Sequence, residues 1–248
     1  VRPAKLWPGV KSLLRSDAPI DMVVVRENSE GEYVSVGGRE TRDGQEVAIQ
    51  TAIHSHNGIE RILRFGFELA RTRPRKRLTM ITKSNAMKYS MVFWDEVLEE
   101  VRGDYPDIET DKQHVDAAAM NFVRRPEHFD VVVASNLFGD ILTDLSGSIV
   151  GSLGLNPSAN LDPTRKNPSL FEPVHGSAPD ITGKGIANPV GAILSAGMML
   201  DWLGEKDAAA AIEAAVGSAF AGGALTPDVG GDLTTTQMAD RVIDQLSA

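Results

Sequence analysis

Cysteine is missing from the 248 residues. Its absence excludes disulfides, thiol nucleophiles and cysteine-ligated zinc, and it fits a reducing compartment, so a cytoplasmic protein is expected. No apolar stretch reaches membrane-spanning length and no signal-peptide pattern is visible, so no membrane partner is expected. Basic charge is in short supply, with 25 Lys and Arg against 34 Asp and Glu and a formal net charge of −9. That balance argues against nucleic acid as a partner. The densest basic run, Arg71 to Arg77, contains a proline and follows a helical pattern, so it reads as a solvated helix end and turn. Internal repeats, low-complexity tracts and coiled-coil heptads are absent too.

Strand-like and helix-like segments alternate, which indicates an α/β protein. Ile20 to Val25 and residues 130–134 read as buried strands, and Leu78 to Ile81 as another. Residues 34–38 and 47–53 flank a polar turn at 39–44 and suggest a projecting hairpin or arm. Ile59, Ile62, Leu63, Gly66, Phe67 and Ala70 form one helical stripe, and Met91, Trp94, Val97, Leu98 and Val101 a second. Beyond residue 148 glycine, proline and asparagine become frequent. Three helices then close the chain, at Pro189–Leu203, Lys206–Phe220 and Thr234–Leu246, the last opening on a Thr234/Gln237 capping box. The expected division is 1–148 for one domain and 149–248 for the other. Val1 to Trp7 reads as the middle of a structured segment, so a preceding portion is expected.

Asp140 and Asp144 carry the most chemical information. They follow the apolar run Val131-Val132-Val133, so they lie at the carboxyl end of a parallel strand, where open α/β sheets bind ligands. One helical turn apart, they share a helix face. Two like charges that close call for compensation, and a hard divalent cation with oxygen ligands is the natural candidate. A solvated acidic face, with Asp140 favoured by the helix dipole, is the plain alternative.

Other clusters are weaker taken singly. Arg26 ends a strand, where a guanidinium can grip a carboxylate, and Tyr33 could serve as a general acid if a cation lowered its pKa. An ion-paired surface turn is the plain alternative for that cluster. Lys83 ends another strand and could act as a base beside a metal, or simply be solvated. Asp116 starts an apolar helix and is either an N-cap or a third oxygen ligand. His54 and His56 lack a third ligand at metal-site spacing and read as turn or helix-cap residues. The segment His175-Gly176-Ser177-Ala178-Pro179-Asp180 through Asn188 is glycine-rich and leads into a helix, which suits close approach of a ligand or a structural loop. It lacks the Gly-x-Gly-x-x-Gly fingerprint, so a Rossmann reading is poor.

Taken in order, Leu-Trp-Pro-Gly, Val-Arg-Glu-Asn-Ser-Glu-Gly-Glu-Tyr, Thr-Lys-Ser-Asn, His-Val-Asp-Ala, Asn-Leu-Phe-Gly-Asp-Ile-Leu-Thr-Asp and Phe-Glu-Pro-Val-His-Gly-Ser-Ala-Pro-Asp resemble the metal-dependent β-decarboxylating dehydrogenases, the isocitrate and isopropylmalate dehydrogenase family. Within it, the tyrosine motif and Met-Lys-Tyr-Ser-Met-Val-Phe-Trp look most like the tartrate and D-malate branch. The resemblance implies an α/β fold of that family, with two domains around a mixed sheet and a dimer arm. It implies a homodimer with shared active sites acting on a small 2-hydroxy acid. Asp140 and Asp144 would bind Mg²⁺ or Mn²⁺, with Asp116 reaching in from the other subunit. Arg2 and Arg26 would hold the departing carboxylate, Lys83 of the partner would help remove the hydroxyl proton, and Tyr33 would protonate the enolate. His175, Gly176, Ser177, Ala178, Pro179, Asp180 and Asn188 would hold the adenosine half of NAD, with Asp180 disfavouring NADP. Oxidation of 3-isopropylmalate or isocitrate is the alternative within the class, and an inactive truncated or regulatory subunit the alternative outside it. The resemblance also implies roughly a hundred further residues before Val1.

Overall fold

The computed structural model describes residues 1–14 and 19–247. The elements run β1 (Arg2–Lys5), β2 (Asp21–Arg26), β3 (Gly37–Arg42), β4 (Gln45–Gln50), α1 (His56–Thr72), β5 (Arg77–Thr82), α2 (Ser90–Arg102), β6 (Glu109–His114), α3 (Val115–Arg124), β7 (Val131–Ala134), α4 (Asn136–Ile149), β8 (Pro157–Asn160), β9 (Leu170–Pro173), α5 (Val190–Leu203), α6 (Lys206–Ala221) and α7 (Thr235–Leu246). The α/β class is as expected. Among the described residues no helix is long and apolar enough to cross a membrane.

The chain divides into two compact units. The first comprises Val1–Val23, Asn121–His128 and Thr143–Ala248, the second Val24–Met120 and Phe129–Leu142. These are not the two consecutive segments expected from the sequence. The reason is visible in the first unit's core, where Trp7 and Val10 pack with Leu155, Val190, Val216, Phe220 and Met238. Residues far apart in sequence thus complete one apolar cluster, and the change in composition near residue 148 does not report it. The rings of Trp7 and Phe220 lie 6.1 Å apart. In this unit α5 packs on the β8–β9 hairpin, α6 on α5 and α7 on α6. Thr234 caps α7 through the capping box read from the sequence.

In the second unit β7 lies between β2 and β5, with β6 outermost, and β5 pairs in parallel with both β6 and β7. The four residues of β7 are all buried. Helix α1 begins where the Ser55 hydroxyl accepts the Gly58 N–H, and its buried stripe is the one read from the sequence. Ile59, Leu63 and Phe67 are fully buried, each stabilising the fold by about 1.5–3 kcal/mol. The basic run is a helix end and turn, but its arginines are ion-paired and not merely solvated. Arg73 and Arg75 both bind the fully buried Asp130, and Arg77 binds Glu109. The hairpin β3–β4 exists, but its turn is the tight pair Asp43-Gly44, narrower than the span 39–44 expected. Both residues have positive φ, 48° and 77°, as a two-residue hairpin with the twist of its strands requires.

Candidate active site

Strand β2 delivers Arg26 to its carboxyl end, and β7 delivers the start of α4 beside it. The ladder continues one residue past β2, where the Glu27 N–H bonds the Ala134 carbonyl at 3.0 Å. The loop that follows is held by its three glutamates, each tied to a different element. Buried Glu27 accepts from the Ser29 N–H at 2.7 Å and from Arg61 of α1 at 3.2 Å. Glu30 accepts the Ser55 N–H and hydroxyl at 2.7 and 2.8 Å. Glu32 accepts the Ser135 hydroxyl at 2.7 Å and the Leu137 N–H at 3.0 Å, capping the first turn of α4. Between them Gly31 forms a two-bond bridge with Ile53, at 2.8 and 3.1 Å. Its φ of +107° and the nearness of Asn136 leave no place for a side chain.

The Arg26 guanidinium donates from Nε and Nη2 to Asn136 Oδ1, at 3.0 and 2.7 Å, and from Nη1 to Asp140 Oδ1. Asn136 is itself fixed, its Nδ2 donating to the Glu30 carbonyl at 3.2 Å. Tyr33 Oη donates to Asp140 Oδ2 at 3.0 Å, and Arg26 lies 5.4 Å over the Tyr33 ring. The helix approaches this closely because residue 139 is glycine. A β-carbon there would stand 2.7 Å from Arg26 Cγ and 3.3 Å from its Cα. The hydrogen bond to Asp140 pushes the Tyr33 phenol above its ordinary pKa, with desolvation adding to it. The nearest strong partner of the phenol in this arrangement is an anion, and the Arg26 guanidinium opposes the shift.

Asp144 follows Asp140 by one turn of the same helix and is exposed. Among the described residues no three His, Cys, Asp or Glu side chains gather into a metal-holding group. The donors on α4 are hard carboxylate oxygens on one face, and such a pair suits two of the six or more oxygen positions of Mg²⁺ or Mn²⁺. Lys83 and Asp116 meet each other, Nζ to Oδ1 at 2.6 Å, and Lys83 holds the Asp116 carboxyl below the usual carboxylate range. Asp116 lies within the first turn of α3 and is exposed. In the first unit Arg2 Nη1 donates to the buried Thr143 hydroxyl at 2.7 Å.

The glycine-rich segment also belongs to the first unit. His175 Nδ1 lies 2.9 Å from the Gly176 carbonyl, and Pro179, Asp180 and Ile181 form a short 3₁₀ turn. Asp180 is exposed, as are Gly176 and Ser177. The far end is anchored, since Asn188 donates to Asp228 at 3.1 Å and accepts the Val190 N–H at 3.0 Å. Thr235 bonds the carbonyls of Gly185 and Ala187. An exposed carboxylate such as Asp180 can accept from ribose hydroxyls.

Sequence reasoning missed the three glutamates as positioning groups, together with Asn136, Gly139 and Asp228. Their signal was their place, directly after a strand or at a helix start, but nothing local named their partners.

The family described as isocitrate/isopropylmalate dehydrogenase matches residues 1–242. A probable tartrate dehydrogenase/decarboxylase of Bacillus subtilis is 52% identical over 246 residues, which is 99% of this chain and 69% of that protein. A D-malate dehydrogenase (decarboxylating) of Escherichia coli is 53% identical over 250 residues, 98% of this chain and 69% of its own length. The crystal structure of isocitrate dehydrogenase from Methylococcus capsulatus superposes with a TM-score of 0.92 at 40% identity, covering 100% of this chain and 72% of that one.

Proposed function

The chain belongs to the isocitrate/isopropylmalate dehydrogenase family, and on that premise we propose that it oxidises and decarboxylates a 2-hydroxy dicarboxylic acid, tartrate or D-malate, using NAD and a divalent cation. The observation that carries this reading is the double contact at Asp140, where one carboxylate meets the Arg26 guanidinium and the Tyr33 phenol. Identity of 52–53% to relatives named for tartrate and D-malate, against 40% to an isocitrate dehydrogenase structure, supports the substrate choice over isocitrate.

Asp140 and Asp144 are the residues that would hold Mg²⁺ or Mn²⁺, joined by Asp116 of a second subunit. When bound, the ion would supply Lewis-acid polarisation and NAD the capacity to accept a hydride. Arg26, fixed in plane by Asn136, offers a planar fork to the substrate carboxylate that leaves as CO₂. Arg2 provides a second positive charge for it. Lys83 of the second subunit would help remove the hydroxyl proton. The Tyr33 phenol, protonated at neutral pH like any tyrosine, would supply the proton to the substrate carbon. Asp180 would accept from the ribose hydroxyls of NAD and repel a 2′-phosphate.

A homodimer with shared sites fits several exposed groups. Met120 and Val123 of α3 and Ile141 of α4 are 45–53% exposed, and the β3–β4 arm buries none of its residues. A subunit contact would cover these apolar side chains. Lys83 and Asp116 sit side by side, as two groups destined for one neighbouring site would. A cytoplasmic location follows the same reading.

The test is turnover of tartrate, D-malate, 3-isopropylmalate and isocitrate with NAD or NADP and Mn²⁺, with CO₂ measured. Activity confined to the first two acids with NAD supports the proposal. Activity with 3-isopropylmalate or isocitrate alone overturns the substrate assignment. No turnover, together with no stabilisation by Mn²⁺ and NADH, leaves the inactive-subunit reading.

A further inference from the structure

The ring of His54 stands edge-on to the fully buried Trp94 of α2, with centroids 6.1 Å apart and planes at 80°. Trp94 Nε1–H donates to His54 Nδ1 at 3.1 Å. An indole nitrogen can only donate, so Nδ1 must be the bare nitrogen and Nε2 carries the hydrogen. Nε2 is sealed from solvent and has no hydrogen-bond partner among the described residues. A phenyl ring would pack edge-on equally well without an unpaired N–H, so packing alone does not account for an imidazole here. What the imidazole adds is the acceptor for Trp94.

The segment around His54 is the clamp on the catalytic loop. Ile53 bridges Gly31 through both of its backbone groups, and Ser55 is gripped by Glu30 through its N–H and hydroxyl. A β-carbon on Gly31 would stand 3.1 Å from Asn136 Cβ and 3.7 Å from His54 Cε1, so only glycine fits there. Asn136 in turn orients Arg26. The connection therefore runs from Trp94 to His54, through its chain neighbour Ile53 to Gly31, and from the adjoining Glu30 carbonyl to Asn136 and Arg26. Two residues beyond Gly31 the chain presents Tyr33 to Asp140.

We propose that His54 is a positioning residue: by accepting the Trp94 indole N–H it locks the 53–55 clamp onto Gly31 and so sets the Tyr33 phenol and the Arg26 guanidinium at Asp140. The link to turnover rests on the function proposed above, whereas the link to loop geometry does not. Three forms of the protein separate the two, the parent, His54→Phe and His54→Asn. Phenylalanine keeps the ring and removes the acceptor, while asparagine places an oxygen near the position of Nδ1.

In His54→Phe the Trp94 indole N–H resonance shifts, and hydrogen exchange at the Gly31 and Ile53 amides quickens on the order of tenfold, the loss of about one hydrogen bond. The kcat for tartrate or D-malate falls while KM for NAD stays. In His54→Asn these changes are largely reversed. Unchanged exchange at Gly31 and Ile53 in His54→Phe overturns the proposal, and so does faster exchange with an unaltered kcat. If the parent protein turns over neither acid, the functional reading fails. The exchange rates and the Trp94 indole resonance then decide the positioning role by themselves.

Discussion

Glu32 Oε2 accepts the backbone N–H of Leu137 at 3.0 Å, so a carboxylate from the loop after β2 caps the helix that carries Asp140. Its other oxygen takes the hydroxyl of the fully buried Ser135. Glu32→Ala removes both acceptors at once. A lost cap costs about 1–2 kcal/mol, and urea unfolding should show a loss of that size. Glu32→Gln, which keeps one acceptor, should recover part of it.

Gly139→Ala should be more damaging than any other small change on α4. The added carbon would press on Arg26 Cγ and Cβ and come within 3.3 Å of its backbone Cα, which no rotamer change relieves. Overpacking of this kind costs about 1–3 kcal/mol. The displaced guanidinium should also raise KM for the hydroxy acid more than it lowers kcat. A variant with wild-type stability and KM would contradict the close approach described here.

Tyr33 should deprotonate at higher pH than a free tyrosine. The anionic acceptor Asp140 favours the phenol, so the folded state holds this proton more tightly than the unfolded chain does. The small stabilisation that results is present below the ordinary tyrosine range and is lost as pH rises through the elevated value. Phenolate difference absorbance, with Tyr33→Phe identifying the signal, follows it. Asp140→Asn should bring the titration down.

Mn²⁺ should raise the unfolding temperature of the parent protein and not that of Asp144→Asn. Asp144 is exposed, so its replacement leaves the fold alone. A ligand bound only by the folded state adds about 2.7 kcal/mol at a hundredfold excess over its Kd. Equal thermal shifts in both proteins would remove Asp144 from the cation site.

The periodic features of the chain were legible before its structure. The stripe from Ile59 to Ala70 is buried as read, and α5, α6 and α7 begin or end within one residue of their expected limits. The resemblance carried by six ordered motifs located the family. The glutamates were not legible as staples, because their partners Ser55, Arg61 and Leu137 lie 25, 34 and 105 residues away. Local pattern encodes which face of an element is apolar but not which distant amide a carboxylate will cap. The hairpin turn was misjudged for the opposite reason. Asp43-Gly44 is a local signal, but polar residues on both sides blurred it.

The packing of Trp7 and Val10 among the carboxyl-terminal helices bears on how this chain can be shortened. A fragment beginning at Thr143 would retain α5, α6 and α7 and lose the indole that covers Phe220. Phe220 is fully buried in the whole protein, and in the fragment it would face water alongside Leu155 and Val216. Such a piece should aggregate on expression even though each of its helices is intact, and adding residues 1–14 in trans should help keep it in solution.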